Sequence, residues 1–215
     1  MNRNKFFSVS LSLRGSVVVL LFFSLFGIAT IAAADPLSPL EGLELLRRGF
    51  AGMTDFTADI TQEKELSLLK KKLTSTGRVR FRRPGTFFME ISPPYPSRLL
   101  LENSDLTVFY PAQKSHQKIP LPAEEGLGKW FTYLDKPITA LPQGVLMQAE
   151  RQGENCTLKI QPQGKQGVRE LTLFFRDDGR IRKIVIEEQN GDRNSITFRT
   201  MKKNVGLTEK EFRLE

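Results

Sequence analysis

Gly77-Arg78-Val79-Arg80-Phe81-Arg82-Arg83-Pro84-Gly85-Thr86-Phe87-Phe88-Met89-Glu90-Ile91 is the stretch that decides how this chain folds. Val79 and Phe81 alternate with arginines, the period of a strand with one wet face. Pro84-Gly85 makes a turn. Phe87, Met89 and Ile91 then share one side, and Phe88 and Glu90 take the other. Upstream, Phe56, Ala58 and Ile60 alternate with Thr57, Asp59 and Thr61, and Glu63 to Lys72 reads as a charged connection between two strands. Downstream, strands are expected over 98–102, 106–110, 157–161, 170–175, 180–188 and 195–201. Turn chemistry separates them at Asn103-Ser104-Asp105, Pro162-Gln163-Gly164, Asp177-Asp178-Gly179 and Asn190-Gly191. Short strands joined by short turns make an antiparallel meander, and a large curled sheet or open barrel is its natural closure.

Two segments break this pattern with a helical period. Ser38-Pro39-Leu40-Glu41 offers a capping box with proline in the first turn, and Leu40, Leu43, Leu46 and Phe50 follow at helical spacing as far as Gly52. Between Pro122 and Gly144, Leu127, Trp130, Phe131 and Leu134 repeat the spacing before the proline-punctuated stretch 137–142. Both segments are amphipathic and need an apolar surface to cover. The expected fold is therefore mainly β, an unclosed antiparallel barrel covered by an N-terminal helix and a short helical insert.

Residues 1–34 have the tripartite build of a secretory signal peptide: Arg3, Lys5 and Arg14 as the only charges, an apolar run from Val17 to Ile31, and Ala32-Ala33-Ala34 before Asp35. Cleavage after Ala34 is expected; retention as an anchor, the other reading of the same run, also places the folded part outside the cytoplasm. No cysteine follows the run to accept a lipid, so a soluble product is expected. Residues 35–215 are enough for one domain. Without the leader's three cations, 29 basic side chains face 24 acidic ones. That excess is mild, and no Lys/Arg run interleaved with aromatics points to nucleic acid.

Chemistry has little material here. His116 is the single histidine, in the polar run Lys114-Ser115-His116-Gln117-Lys118, and reads as a surface-loop or edge-strand residue. A triad or an imidazole zinc site lacks its parts. Asp177-Asp178 lies in a turn and Glu187-Glu188 alternates across a strand, so neither pairs two carboxylates in an apolar pocket. Cys156 is the single cysteine, which rules out an intramolecular disulfide, and alternation turns it toward the apolar face as a buried thiol. No enzyme activity, metal or cofactor is expected. What stands out is apolar surface: Leu43, Leu46, Phe50, Phe56 and Ile60 from the first segments, Val79, Phe81, Phe87, Met89 and Ile91 from the deciding hairpin, then Trp130, Phe131, Leu173, Phe175, Ile184 and Ile186. Composition is compatible with a close-packed core and equally with a lipid-sized cavity under a helical lid.

Several motifs, in order, resemble the outer-membrane lipoprotein carrier (LolA) family. They are Phe56-Thr57-Ala58-Asp59-Ile60-Thr61-Gln62 after the first helix; Gly77 to Phe87 with Arg83-Pro84; Phe109-Tyr110-Pro111; and Leu171-Thr172-Leu173-Phe174-Phe175 with Asp178-Gly179 and Glu188-Gln189. The resemblance spans nearly all of residues 35–215. It implies an unclosed barrel whose cavity takes the acyl chains of lipoproteins, with the sixteen residues just named as its lining. It implies a monomer in the periplasm, loaded by an inner-membrane ATP-driven exporter and emptied by an outer-membrane receptor. Arg83 corresponds to the arginine that hydrogen-bonds the lid, and Phe87 to an aromatic used in partner docking, though cavity wall is an equal reading for it. The sequence departs from the family at Asn103-Ser104-Asp105-Leu106-Thr107-Val108, where a tryptophan is missing, at Met89, and in a shortened C-terminal stretch. Those departures keep open a carrier of another amphiphilic lipid, and a sensor or interaction module on the same scaffold.

Overall fold

The computed structural model describes residues 35–102, 104–120, 136–163 and 167–214. Twelve strands form one antiparallel sheet: β1 (Asp35–Leu37), β2 (Asp55–Leu66), β3 (Lys71–Arg82), β4 (Thr86–Ile91), β5 (Ser97–Glu102), β6 (Asp105–Tyr110), β7 (Ser115–Pro120), β8 (Val145–Gln152), β9 (Asn155–Pro162), β10 (Val168–Arg176), β11 (Ile181–Glu188) and β12 (Arg193–Lys203). Their order is β1-β8-β9-β10-β11-β12-β2-β3-β4-β5-β6-β7, so β1 and β7 are free edges and the barrel is unclosed. A long-range seam between β12 and β2 joins two meanders, with Phe198 opposite Ile60 and Ile196 opposite Gln62.

Alternation places one apolar row on a single face. Phe56 lies opposite Phe81, which lies opposite Phe87, and Ala58, Val79 and Met89 form the neighbouring row. On the other side of the seam, Ile160, Leu171 and Ile186 align, as do Leu158, Leu173 and Ile184. The apolar face gives way toward one end to Gln62, whose amide donates to Asn194 at 3.1 Å. Cys156 is buried on this face and unpaired, and burial pushes its thiol pKa up, which keeps it unreactive.

Helix α1 (Pro39–Phe50) lies across the apolar face, and its capping box forms as expected: the Glu41 backbone N–H donates to Ser38 Oγ, and the Glu41 carboxylate accepts the Ser38 N–H at 2.9 Å. Leu43, Leu46 and Phe50 join Phe56, Ile60, Val79, Phe81, Leu158, Leu173 and Phe175 in one buried cluster. The helix lies unusually close to the strands because Gly42 and Gly49, seven residues apart, carry no side chain. A Cβ at Gly42 would stand 2.9 Å from Ala149 Cβ, and one at Gly49 would stand 2.2 Å from the carbonyl oxygen of Gly179.

The charged run 63–72 is corrected by the structure: only Ser67 to Lys70 form the turn, and the charged residues on either side continue β2 and β3 as a ribbon paired to Leu66 and Lys71, with β12 alongside β2 as far as Glu65. Charged side chains suit strands whose faces are both wet. Strands β1, β7 and β8 went unrecognised in the sequence, and His116 sits on the edge strand β7, stacked on Phe109 at 4.6 Å. Trp130, Phe131 and the rest of the insert's helical repeat lie outside the described residues, whereas 136–144 are irregular.

Candidate functional site

The C-terminal end of α1 is where cationic and amide donors converge. Helix ends leave carbonyls without intrahelical partners and carry partial negative charge, so cations and N–H donors stabilise them. Arg83, from the turn between β3 and β4, donates from Nε to the Met53 carbonyl at 2.5 Å and from Nη2 to the Phe50 carbonyl at 3.3 Å. Its own N–H donates to Thr54 O at 2.9 Å. From the end of β12, Lys203 Nζ reaches the Gly49 carbonyl at 2.5 Å, and Asn204 Nδ2 reaches the Gly52 carbonyl at 3.3 Å. Asn204 Oδ1 accepts the Thr54 N–H at 2.8 Å. Asn204 can face both ways because Asp55, buried at the start of β2, fixes the backbone beyond it. The Asp55 carboxylate accepts the N–H groups of Val205 at 2.7 Å and Gly206 at 3.1 Å.

The other half of the helix is tied by Glu44. Arg47 chelates its carboxylate through Nε at 2.7 Å and Nη2 at 2.8 Å, and the Ile138 N–H donates to it at 3.2 Å. The Arg47 hydrogen bonds, assisted by the Ile138 N–H, hold the Glu44 pKa down to about 2 from 4.5. A carboxylate depressed on folding stabilises the native state fully above its unfolded value, and that contribution is lost as pH falls from 4.5 through 2. Glu44→Gln is therefore expected to lower stability at pH 7 by about 0.5–1 kcal/mol, the usual worth of such a pair. The loss should shrink as pH drops toward 3. Urea midpoints across that range test it, and a deficit that stays constant down to pH 3 contradicts it.

Of the sixteen candidate lining residues, ten belong to the buried cluster: Leu43, Leu46, Phe50, Phe56, Ile60, Val79, Phe81, Ile91, Leu173 and Phe175. Phe87, Met89 and Ile184 are partly buried against it. Ile186 is half-buried on the same face. Trp130 and Phe131 lie outside the described residues. Phe87 stands in the apolar row between Phe81 and Leu101. Under α1 the face is closed, and several of its side chains are less than 2 % exposed, so anything entering there must first move the helix. A groove of about 430 Å³ opens from the opposite face, and its lining includes the polar side chains of Asp59, Thr61, Arg78, Glu90 and Arg199. Among the described residues no group of three or more His, Cys, Asp or Glu is placed to hold a metal.

The sequence reading missed Lys203, Asn204 and Asp55, and also the contact between Gly49 and Gly179. Only the glycines left a signal, two of them on one face of a twelve-residue helix.

A family model described as outer membrane lipoprotein carrier protein LolA matches residues 51–215. No curated protein matches the sequence. Solved structures with a similar course of chain include a LolA superfamily protein from Nitrosomonas europaea, 12% identical with a TM-score of 0.44, the match covering 82% of this chain and 98% of that one. An uncharacterized conserved protein from Thermus thermophilus is 13% identical with a TM-score of 0.48 over 80% and 90% of the two chains. MucB in the MucA/MucB complex of Pseudomonas aeruginosa is 11% identical with a TM-score of 0.44 over 81% and 60%. The match over residues 51–215 places a lipid- or lipoprotein-binding, carrier-type domain on the curled sheet described above. By that match the chain belongs to the outer membrane lipoprotein carrier protein family, LolA.

Proposed function

We propose that this protein is a periplasmic carrier that takes the acyl chains of lipoproteins from the inner to the outer membrane, with α1 as the movable cover of the acyl site. The observation that carries the reading is the way α1 is fastened. It covers an apolar face, yet polar bonds from Arg83, Lys203 and Asn204 hold its C-terminal end, and these can exchange with water without disturbing the sheet ladders. In this reading Arg83 is the lock, and the buried residues of the cluster become the wall once the helix moves. Phe87, at the border of the helix-covered region, is then both wall and point of approach for a partner. An inner-membrane ATP-driven exporter loads the carrier and an outer-membrane receptor empties it.

The magnitudes suit reversible carriage. Burying Leu43, Leu46 and Phe50 is worth about 5–9 kcal/mol together. Cargo that displaces them forfeits roughly the burial of six to eleven methylenes at ~0.8 kcal/mol each. A multiply acylated cargo still gains from binding, but far less than in an empty cavity, and so can be released. Mass spectrometry of material co-purifying with the protein from its native cells tests the proposal. Acylated lipoproteins are the expected finding. A free amphiphile would replace the cargo, and a tight protein partner with no lipid would replace the carrier by an interaction module.

A further inference from the structure

Leu68 and Leu69 are 93 % and 67 % exposed at the tip of the β2–β3 ribbon. Adjacent leucines fully in water are unfavourable unless something covers them, and the structure keeps them from folding back. The Ser67 N–H donates to the Asp192 carboxylate at 2.8 Å, which fixes the first residue of the turn against the turn between β11 and β12. Lys70 then takes a positive φ of 47°, so the two leucines occupy the tip of a turn braced from one side. The tip also projects. β4 pairs with β3 only from Gly77 onward, and the Ser92 N–H still reaches the Thr76 carbonyl, which leaves Lys71 to Ser75 unpaired on that side, a length of about 17 Å at the usual strand rise.

Charge selects the occupant. Lys64, Lys70, Lys71 and Lys72 flank the leucines along the ribbon; Lys72 is paired with Glu63 at 3.3 Å and Glu65 at 3.7 Å. Lys64, Lys70 and Lys71 are exposed and make no ion pair among the described residues. A protein pocket for Leu68 and Leu69 would have to bury or match those ammonium groups. An anionic bilayer accommodates both at once, leucines among the acyl chains and lysines at the headgroups, where long cationic side chains are at home.

We propose that the β2–β3 ribbon tip docks the protein on the surface of an anionic lipid bilayer, with Leu68 and Leu69 inserting and Lys64, Lys70 and Lys71 engaging headgroup phosphates. This surface is built from residues outside the acyl site and stands whether or not the cargo is a lipoprotein. Its use would be to bring the carrier to a membrane before any receptor is met.

Co-sedimentation of the whole protein, in the form its own cell matures it, with vesicles of phosphatidylcholine containing about one-third phosphatidylglycerol tests this. Wild type is expected to bind them and to bind pure phosphatidylcholine much more weakly. Leu68→Ser/Leu69→Ser should lower partitioning at least tenfold. Lys70→Gln/Lys71→Gln should lower it severalfold and flatten its salt dependence, and both variants should melt as wild type does, since every altered side chain is exposed. Equal binding of the leucine variant, or no binding by wild type, overturns the assignment. So does a dimer that the leucine substitutions abolish without any vesicle binding, which would make a second copy the occupant.

Discussion

Gly49→Ala is expected to destabilise the protein by about 3–5 kcal/mol, the range of severe core disruptions, although the same change within a helix ordinarily stabilises by about 1 kcal/mol. The reversal follows from the contact with Gly179. A methyl group at residue 49 would stand 2.2 Å from the Gly179 carbonyl oxygen and 2.4 Å from its carbon. Neither side can yield cheaply. The turn at Gly179 has φ +77° and is held by its N–H donating to Arg176 O at 2.8 Å, and the helix is fastened at both ends. Gly52→Ala is the control. Its φ is +66° with nothing near the new Cβ, so only the left-handed backbone cost of about 1 kcal/mol applies. Urea midpoints of the two variants settle the matter: equal losses would mean that the helix does not ride on Gly179.

Arg83→Leu is expected to bind an acyl probe roughly tenfold to a hundredfold more tightly and to hand it on more slowly. In the proposed reading, the guanidinium bonds to the Phe50 and Met53 carbonyls fasten the seated helix and are given up when it moves. Charge-assisted bonds of this kind are worth about 1.5–3 kcal/mol, and weakening the closed state by that amount raises apparent affinity in proportion. The variant should also lose thermal stability when empty, and should recover part of it when the probe is bound. Titration with a fluorescent fatty acid, followed by transfer to acceptor vesicles, reads both effects. Unchanged affinity and unchanged transfer would remove Arg83 from the lock.

What the sequence discloses about this molecule depends on whether the relevant pattern is local. β2, the paired part of β3, and β4 announce themselves because Phe56, Ala58, Ile60, Val79, Phe81, Phe87 and Met89 alternate strictly, although in β4 the opposite face is also covered, where Phe88 is buried against Phe212. β7 has only Ile119 to turn inward beside Ser115 and Gln117, and in β8 the alternation of Met147 and Ala149 with Gln148 and Glu150 is masked by an exposed Leu146 at one end and an inward Arg151 at the other. The ribbon from Glu63 to Lys72 looks like a loop for the same reason: with no buried face it has no apolar period, and its pairing is carried by the backbone and by the ion pairs of Lys72 with Glu63 and Glu65. α1 is legible down to its cap because a capping box is a four-residue event. The fastening of its far end is not. Lys203 and Asn204 meet Gly49 and Gly52 across 154 and 152 residues of chain, and an isolated lysine near the end of a strand carries no mark of the carbonyl it will find. Arg83 was reached through the family resemblance; its neighbours at the same helix end were not.

The seam between β12 and β2 bears on how the molecule comes into being. A chain made from its N-terminus completes the β2–β7 meander early, yet the partner for the other edge of β2, Arg193 to Lys203, emerges only after β8 to β11. Until then Phe56, Ala58 and Ile60 lie on a strand with one unpaired ladder, the situation in which strands recruit other chains. Contacts this distant in sequence also make folding intrinsically slow. The sheet that would let the finished protein hold an apolar cargo is thus, during its own synthesis, an apolar surface in need of a guardian, and its yield in the cell should depend on whatever shields nascent β-strands until β12 arrives.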